Sequence, residues 1–194
     1  LDPSGRIVEA GPAASVPEPP GTLSRSFPAA AILPGLVNTH THLELTGLDG
    51  QVPDAEFPEW ILHLVALKRA RSPDAVRAAA RQGIEEGWRG GVTTVADTGD
   101  SGAVIEALAD LGASGIAYHE VFGPDPRLAD DCFTAWATRL GELARFAGGR
   151  VRLGASPHAP FTVSGPLYRL AAGHARAAGL PLAGCAGIGA TDGA

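Results

Sequence analysis

Two histidines separated by one residue, His40 and His42, offer the most pointed chemistry in the sequence. They end the apolar run Leu36-Val37-Asn38-Thr39-His40, which follows Pro34-Gly35 and reads as a β-strand. Side chains two apart on a strand point to one side with Cα atoms roughly 6.5 Å apart, so the two imidazoles can converge on one divalent ion at roughly 2.0–2.1 Å. An ion held this way acidifies water into a nucleophile, the chemistry of metal-assisted hydrolysis. A histidine pair that merely satisfies a strand end is the plain alternative. Position favours ligation, because strand C-termini are where barrel enzymes gather their reacting groups.

The elements that must hold this pair follow an alternating pattern. After the strand at 36–40, Pro58 to Ala70 reads as a helix with Trp60, Ile61, Leu64, Val65 and Leu67 on one broad apolar face. Pro73 to Trp88 reads as a second helix, with Ser72 as its N-cap and Gly90-Gly91 as its stop. Then come a β-branched strand over Gly91 to Asp97, a helix over Ala103 to Leu111 and a strand over Ile116 to Phe122. Leu128 to Phe146 is mostly helix, Val151 to Ala155 a strand, Gly165 to Ala178 a helix, and Leu180 to Ala183 the start of another strand. Strands alternating with helices imply a parallel sheet covered by helices. Four strands and the start of a fifth make either half of an eight-stranded (β/α) barrel or one modest open sheet, and periodicity alone does not choose.

Ahead of this pattern, Leu1 to Gly11 carries a Pro/Ser/Gly turn followed by a short strand, and Pro12 to Pro28 is too rich in proline for helix. Residues 1–33 therefore read as remnant β-structure outside the main fold, residues 34–183 as the alternating body, and residues 184–194 as an irregular Gly/Ala-rich tail.

Other polar residues are secondary candidates. Glu44 follows the histidine pair and Glu120 ends a strand, so both can face the same mouth, although a solvated or ion-paired carboxylate is an equal reading. His119, Asp97 and Trp60 are weaker candidates, and His63 and His174 sit on expected helices as surface histidines. Gly99-Asp100-Ser101-Gly102 echoes a serine-protease nucleophile loop, but between a strand and a helix Asp100 or Ser101 reads as an N-cap. The sequence holds no G-x-S-x-G, no H-E-x-x-H, no H-x-E with P-C-x-x-C and no phosphate-binding glycine loop.

Composition narrows the class. A 45% hydrophobic and 19% charged chain with net charge -6 is ordinary for a globular domain, and its scattered arginines with a single lysine, Lys68, form no patch for nucleic acid. Cys132 and Cys185 are far apart and fit a reducing compartment. No apolar run is long enough for a membrane span, so the expectation is a cytoplasmic protein without nucleic-acid or membrane partners. The sequence contains no Met, which reads as a fragment or an alternative start.

Taken together, Pro34-Gly35-Leu36-Val37-Asn38-Thr39-His40-Thr41-His42-Leu43-Glu44, the strand Gly91 to Asp97 and the loop Ser156-Pro157-His158-Ala159-Pro160-Phe161-Thr162-Val163-Ser164 resemble the amidohydrolase superfamily across residues 1–183. The last segment is similar to the branch that deaminates or dechlorinates nitrogen heterocycles, including cytosine, adenosine-type and triazine substrates. The resemblance implies an α/β fold that is the first half of a (β/α)8 TIM-type barrel, preceded by part of a companion β-sandwich. It implies His40 and His42 as ligands of one divalent metal, zinc first and iron second, and His158 as an imidazole beside the reacting carbon of a small heterocyclic substrate. Glu44, Glu120 and Trp60 then become candidates for contacting that substrate. A cyclic-amide hydrolase of the dihydroorotase or imidazolonepropionase kind is the nearest alternative, disfavoured by the loop around His158. A noncatalytic binding or assembly module is the alternative from outside enzymes.

The sequence departs from the family where the fifth strand should supply a third metal-binding histidine and, three residues later, a proton-shuttling glutamate. Here it runs Leu180 to Ala194 with neither, and the sixth-strand histidine and eighth-strand aspartate would lie beyond residue 194. A site ligated by two imidazoles falls short of the usual three or four protein ligands. The expectations are weak metal binding, negligible catalysis by the isolated chain, and self-association through open sheet edges.

Overall fold

A computed structural model describes residues 1–184, and the chain divides into two compact units, Leu1–Pro34 and a body beginning at Gly35. The expected tail lies outside the described residues, apart from Gly184.

The first unit is built of turns. Asp2 Oδ1 accepts from the backbone N–H of Ser4 and of Arg6, at 2.9 Å each, and Gly5 takes the positive φ of 84° that closes this turn. Further turns close from Ser15 N–H to the Pro12 carbonyl, 2.8 Å, and from Thr22 N–H to the Pro19 carbonyl, 3.1 Å. The short strand expected before Gly11 does not form, and residues 1–35 contain no strand at all. A strand is stabilised by a neighbour's hydrogen-bond ladder, and the prolines spread through this segment remove the donors such a ladder needs.

The body is a four-stranded, all-parallel sheet in the order β1 (Leu36–Thr41), β2 (Val92–Gly99), β3 (Gly115–Val121), β4 (Val151–Pro157). The connections carry helices α1 (Phe57–Ala70) and α2 (Pro73–Arg89), then α3 (Ala103–Leu111), α4 (Ala129–Leu143) and, after β4, α5 (Gly165–Ala177). Ser72 caps α2 by accepting from Ala75 N–H, and Gly90 followed by Gly91 at φ 84° ends it. The single helix expected over 128–146 is an α-helix flanked by 3-10 turns at Pro126–Leu128 and Ala144–Phe146. A fifth strand begins after α5: Ala155 N–H donates to the Pro181 carbonyl at 2.9 Å, and Ala183 N–H donates to the Ala155 carbonyl at 3.0 Å.

The core lies on the helix-covered face. Ile84 of α2, Ile105 and Leu108 of α3, Trp136, Leu140 and Leu143 of α4 and Leu167 of α5 pack on Val95, Ala117, Leu153 and Ala155 of the strands. β1 is open on both faces, since its neighbouring residues Leu36 and Val37, which point to opposite sides, are each 60% exposed. The apolar face expected of α1 is only half covered, and none of its residues is buried. His63 and His174 are likewise partly buried rather than surface residues, and His174 sits edge-on to Phe133 and Trp136 in the groove between α4 and α5. Among the described residues no helix is long and apolar enough to cross a membrane.

Candidate metal centre and heterocycle site

Parallel pairing puts all four strand C-termini on one rim, and alternation decides which side chains face which way. Ala117, Leu153 and Ala155 are in the helix-packed core, so their neighbours Tyr118, Glu120 and Ser156 take the other face. His40 in β1 and His42, just past its end, lie at this rim, while Leu43 in the following 3-10 turn enters the core.

The histidine rings meet there. Their centroids lie 5.0 Å apart at an interplanar angle of 90°. The His42 ring is oriented by β2: Nδ1 lies 2.7 Å from the Thr98 carbonyl, which can only accept, so Nδ1 carries the proton and Nε2 presents a lone pair. Burial lowers the His42 pKa and the nearby His40 adds to the lowering, against a pull upward from the Thr98 carbonyl. A neutral imidazole with one nitrogen pinned by a backbone carbonyl is the form that ligates a metal. The donor set is partial, since no group of three or more His, Cys, Asp or Glu side chains able to hold a metal occurs among the described residues.

The segment after the pair is fixed from both sides. Leu43 N–H donates to Asp97 Oδ2 at 2.7 Å, and burial pushes the Asp97 carboxyl well above the usual carboxylate range. Glu44, 2% exposed, receives the Lys68 ammonium and the Ser101 hydroxyl. Lys68 also pairs with Asp100; burial would lower its pKa, but the two carboxylates outweigh that and hold it above the ordinary value. Arg71 donates to the carbonyls of Glu44 and Thr46 at 3.1 Å each. Glu44 is thus committed to a structural network and does not face the mouth as a free carboxylate, the ion-paired alternative weighed for it. Ser101 Oγ also accepts from Ala103 N–H, 3.1 Å, but the N-cap of α3 is Gly102 at φ 79°, so neither Asp100 nor Ser101 takes the expected cap position.

At the far side of the rim, His158 follows β4. Its Nδ1 shares a 2.8 Å hydrogen bond with Thr162 Oγ1, and its ring packs 4.6 Å from that of Phe122, just past β3. Burial and the charge of His42 hold His158 below the ordinary imidazole value. The loop carrying it is stitched to the end of β3: His158 N–H donates to Val121, Gly123 N–H to Thr162 and Ser164 N–H to Gly123, at 3.2, 2.8 and 2.7 Å. Glu120 projects into the same mouth, buried and without a hydrogen-bond partner, and burial followed by repulsion from Asp100 raises its pKa to about 7.

Not every candidate arrives. Trp60 lies in the first turns of α1 and stacks on Phe57, centroids 6.2 Å apart, instead of on an imidazole. His119 points to the helix side, where burial depresses its pKa. A cleft of about 780 Å3 opens between α1, α2, the start of α3 and the loop after β2, with Lys68, Asp100 and Phe122 on its wall, and no imidazole lines it. Sequence inspection missed Lys68 as the partner of Glu44, Thr98 as the group orienting His42, and Ser156. Lys68 alone had a signal, as the only lysine in the chain.

Comparison with known proteins accounts for this arrangement. Aminodeoxyfutalosine deaminase of Deinococcus radiodurans is 37% identical over 186 residues, which are 92% of this chain and 43% of that protein. A 5-methylthioadenosine/S-adenosylhomocysteine deaminase of Symbiobacterium thermophilum is 33% identical over 166 residues, 82% of this chain and 37% of that protein. The chain therefore spans about two fifths of the length of these curated relatives. In fold it is similar to a zinc-bound adenosine deaminase from Xanthomonas campestris, with a TM-score of 0.68 at 24% identity, over 78% of this chain and 35% of that one. A triazine hydrolase from Arthobacter aurescens matches with a TM-score of 0.63 at 23% identity, over 78% of this chain and 40% of that one. The parallel sheet is thus part of a (β/α) barrel, the half-barrel option left open by periodicity. The sequence profile of the amidohydrolase family matches residues 31–193, and the chain belongs to that family.

Proposed function

We propose that these residues form the first part of a metal-dependent centre that hydrolytically deaminates a nitrogen heterocycle of the 6-aminopurine type, with residues 1–33 as part of a companion β-sandwich. The observation that carries the reading is the convergence of His40 and His42, 5.0 Å apart, with the His42 tautomer set by Thr98. His40 and His42 would hold a divalent ion, zinc before iron. When bound, the ion supplies the Lewis acidity that makes water nucleophilic near neutral pH. Thr98 keeps Nε2 of His42 free for that ion, and Asp97, Lys68 and Ser101 keep the following turn from shifting. His158, held by Thr162 and Phe122, faces the substrate ring from the opposite side of the rim. The names of the curated relatives cited above, deaminases of aminodeoxyfutalosine and of 5-methylthioadenosine/S-adenosylhomocysteine, favour amine release over opening of a cyclic amide.

Two measurements test this. Zinc titration of the chain is expected to show binding that His40→Ala and His42→Ala each weaken at least tenfold. Because two imidazoles are fewer than the usual three or four ligands, turnover by the 194-residue chain alone is expected to be negligible. A chimera in which residues 35–183 replace the matching segment of the Deinococcus radiodurans relative is expected to release ammonia from 5′-deoxyadenosine or aminodeoxyfutalosine. Ring opening of a dihydropyrimidine instead, or ammonia release that survives His40→Ala, would overturn the reading. Absence of histidine-dependent zinc binding would favour a noncatalytic module, the second reading that the partial donor set supports.

A further inference from the structure

Buried polar side chains in folded proteins almost always find a partner, and those that do not call for a physical explanation. Five atoms in the described residues lack one: Nδ1 of His63 and His119, Oε1 of Glu120, and Oγ of Ser156 and Ser164. Two of these belong together. Glu120 and Ser156 are register partners on β3 and β4, so their side chains leave the sheet on the same face, the one that carries His158 and Phe122. Glu120 is 6% exposed and Ser156 fully buried. Among the described residues neither Glu120 Oε1 nor Ser156 Oγ has a hydrogen-bond partner, although a hydroxyl can both donate and accept.

We propose that Glu120 and Ser156 form a hydrogen-bonding ledge that reads the amidine edge of a heterocycle, a ring-nitrogen acceptor beside an exocyclic N–H donor. The inference rests on the functional reading above for the class of ligand, while its evidence is separate from the histidine pair. A carboxylic acid offers one donor and one acceptor side by side, which complements such an edge in two parallel hydrogen bonds. A primary amide makes the same pair, as when Asn or Gln bonds adenine at N6 and N7. Burial, which pushes Glu120 up to about 7, keeps a substantial share of the acid form at neutral pH. Ser156, one strand over, supplies the adjoining donor or acceptor. Phe122, 40% exposed and packed on His158, offers a ring for the heterocycle to stack on at the same rim. Leaving these groups unpaired is costly, so a ligand that pairs them is favoured over one that cannot.

The test is equilibrium dialysis of the zinc-loaded chain with 5′-deoxyadenosine, and with a purine nucleoside lacking the 6-amino group, backed by turnover in the chimera. Glu120→Leu, close in shape but unable to hydrogen-bond, is expected to weaken 5′-deoxyadenosine binding at least tenfold and the amino-free nucleoside by less than threefold. Glu120→Gln is expected to restore binding to within threefold of the parent, and Ser156→Ala to weaken it three- to tenfold. In the chimera the Glu120→Leu loss is expected in KM more than in kcat. Zinc affinity is expected to stay unchanged in all three variants, which separates this ledge from the histidine centre. Adenosine-type binding that is indifferent to Glu120→Leu overturns the ledge while leaving the deaminase reading intact. Glu120-dependent binding without ammonia release by the chimera overturns the deaminase reading and leaves the ledge intact. Failure of the parent chain and chimera to bind either nucleoside overturns the ledge.

Discussion

The two edges of the sheet hold the two sides of the candidate site, and they are built differently. β4, which leads into Ser156 and His158, is buried along nearly its whole length between β3, the helices and the first residues of a fifth strand. β1, which carries His40 and leads into His42, is exposed along five of its six residues and leans on β2 alone. The buried edge obtains its precision from packing, whereas the open edge obtains it from point contacts. His42 Nδ1 sits on the Thr98 carbonyl, Leu43 N–H on Asp97, and Glu44 on Lys68 and Ser101. A histidine pair can therefore be set by a handful of directed bonds where a core is absent, provided each bond closes a short segment.

Substitutions should separate the two regimes, beginning with the largest effect. Leu108→Ala, at a fully buried position under the sheet, is expected to cost about 2–5 kcal/mol, read by urea unfolding. A loss below about 1 kcal/mol would mean that the helix-packed side is no better formed than the open edge.

Next is Glu120, whose carboxyl is raised from 4.5 to about 7 by burial. A carboxyl raised by folding opposes the folded state as pH climbs: the penalty is absent below about 4.5, grows between 4.5 and 7, and levels off above. Its full size is about 3 kcal/mol. Glu120→Gln should therefore leave stability at pH 4 nearly unchanged, raise it at pH 8 and flatten the profile between. Parallel profiles for parent and variant would place Glu120 in solvent.

Gly99→Ala sharpens the role of the point contacts. A Cβ at Gly99 would lie 2.9 Å from Glu44 Oε2, so the network must yield, at about 1–3 kcal/mol. Zinc affinity should fall with stability in this variant; an unchanged affinity would uncouple Glu44 from the histidines.

The smallest effect on stability is expected at the open edge. Val37→Lys, at a position 60% exposed, should change unfolding free energy by less than about 0.5 kcal/mol. It should nevertheless suppress self-association in sedimentation, because charge on an edge strand blocks pairing with another copy. A dimer that survives the substitution would locate self-association elsewhere.

What could be read from the sequence follows the same division. Strands and helices were legible where Gly and Pro punctuate them and β-branched residues fill them, as at Gly91 to Asp97 and from Ser72 to Gly90. The histidine pair was legible because its spacing is itself geometry. The short strand expected before Gly11 misled, since a turn and apolar residues suggest a strand but cannot supply its neighbour. The partners that orient the site were hidden for two reasons. Thr98 acts through a backbone carbonyl, which every residue has, and Lys68 meets Glu44 from a helix whose docking no local pattern reveals. Trp60 illustrates the converse, an aromatic at a suggestive place that the fold spends on a neighbouring ring.

The loop sewn to the end of β3 by Val121 and Gly123 makes His158 and Phe122 a single caliper jaw. In the proposed site a flat ring held against Phe122 would thereby be indexed to the imidazole, because the two side chains pack on one another. Drift in sequence between Pro157 and Ser164 would accordingly change the gap of the jaw as a whole, so variation in which rings are accepted should trace to the length of this loop before the identity of any one residue in it.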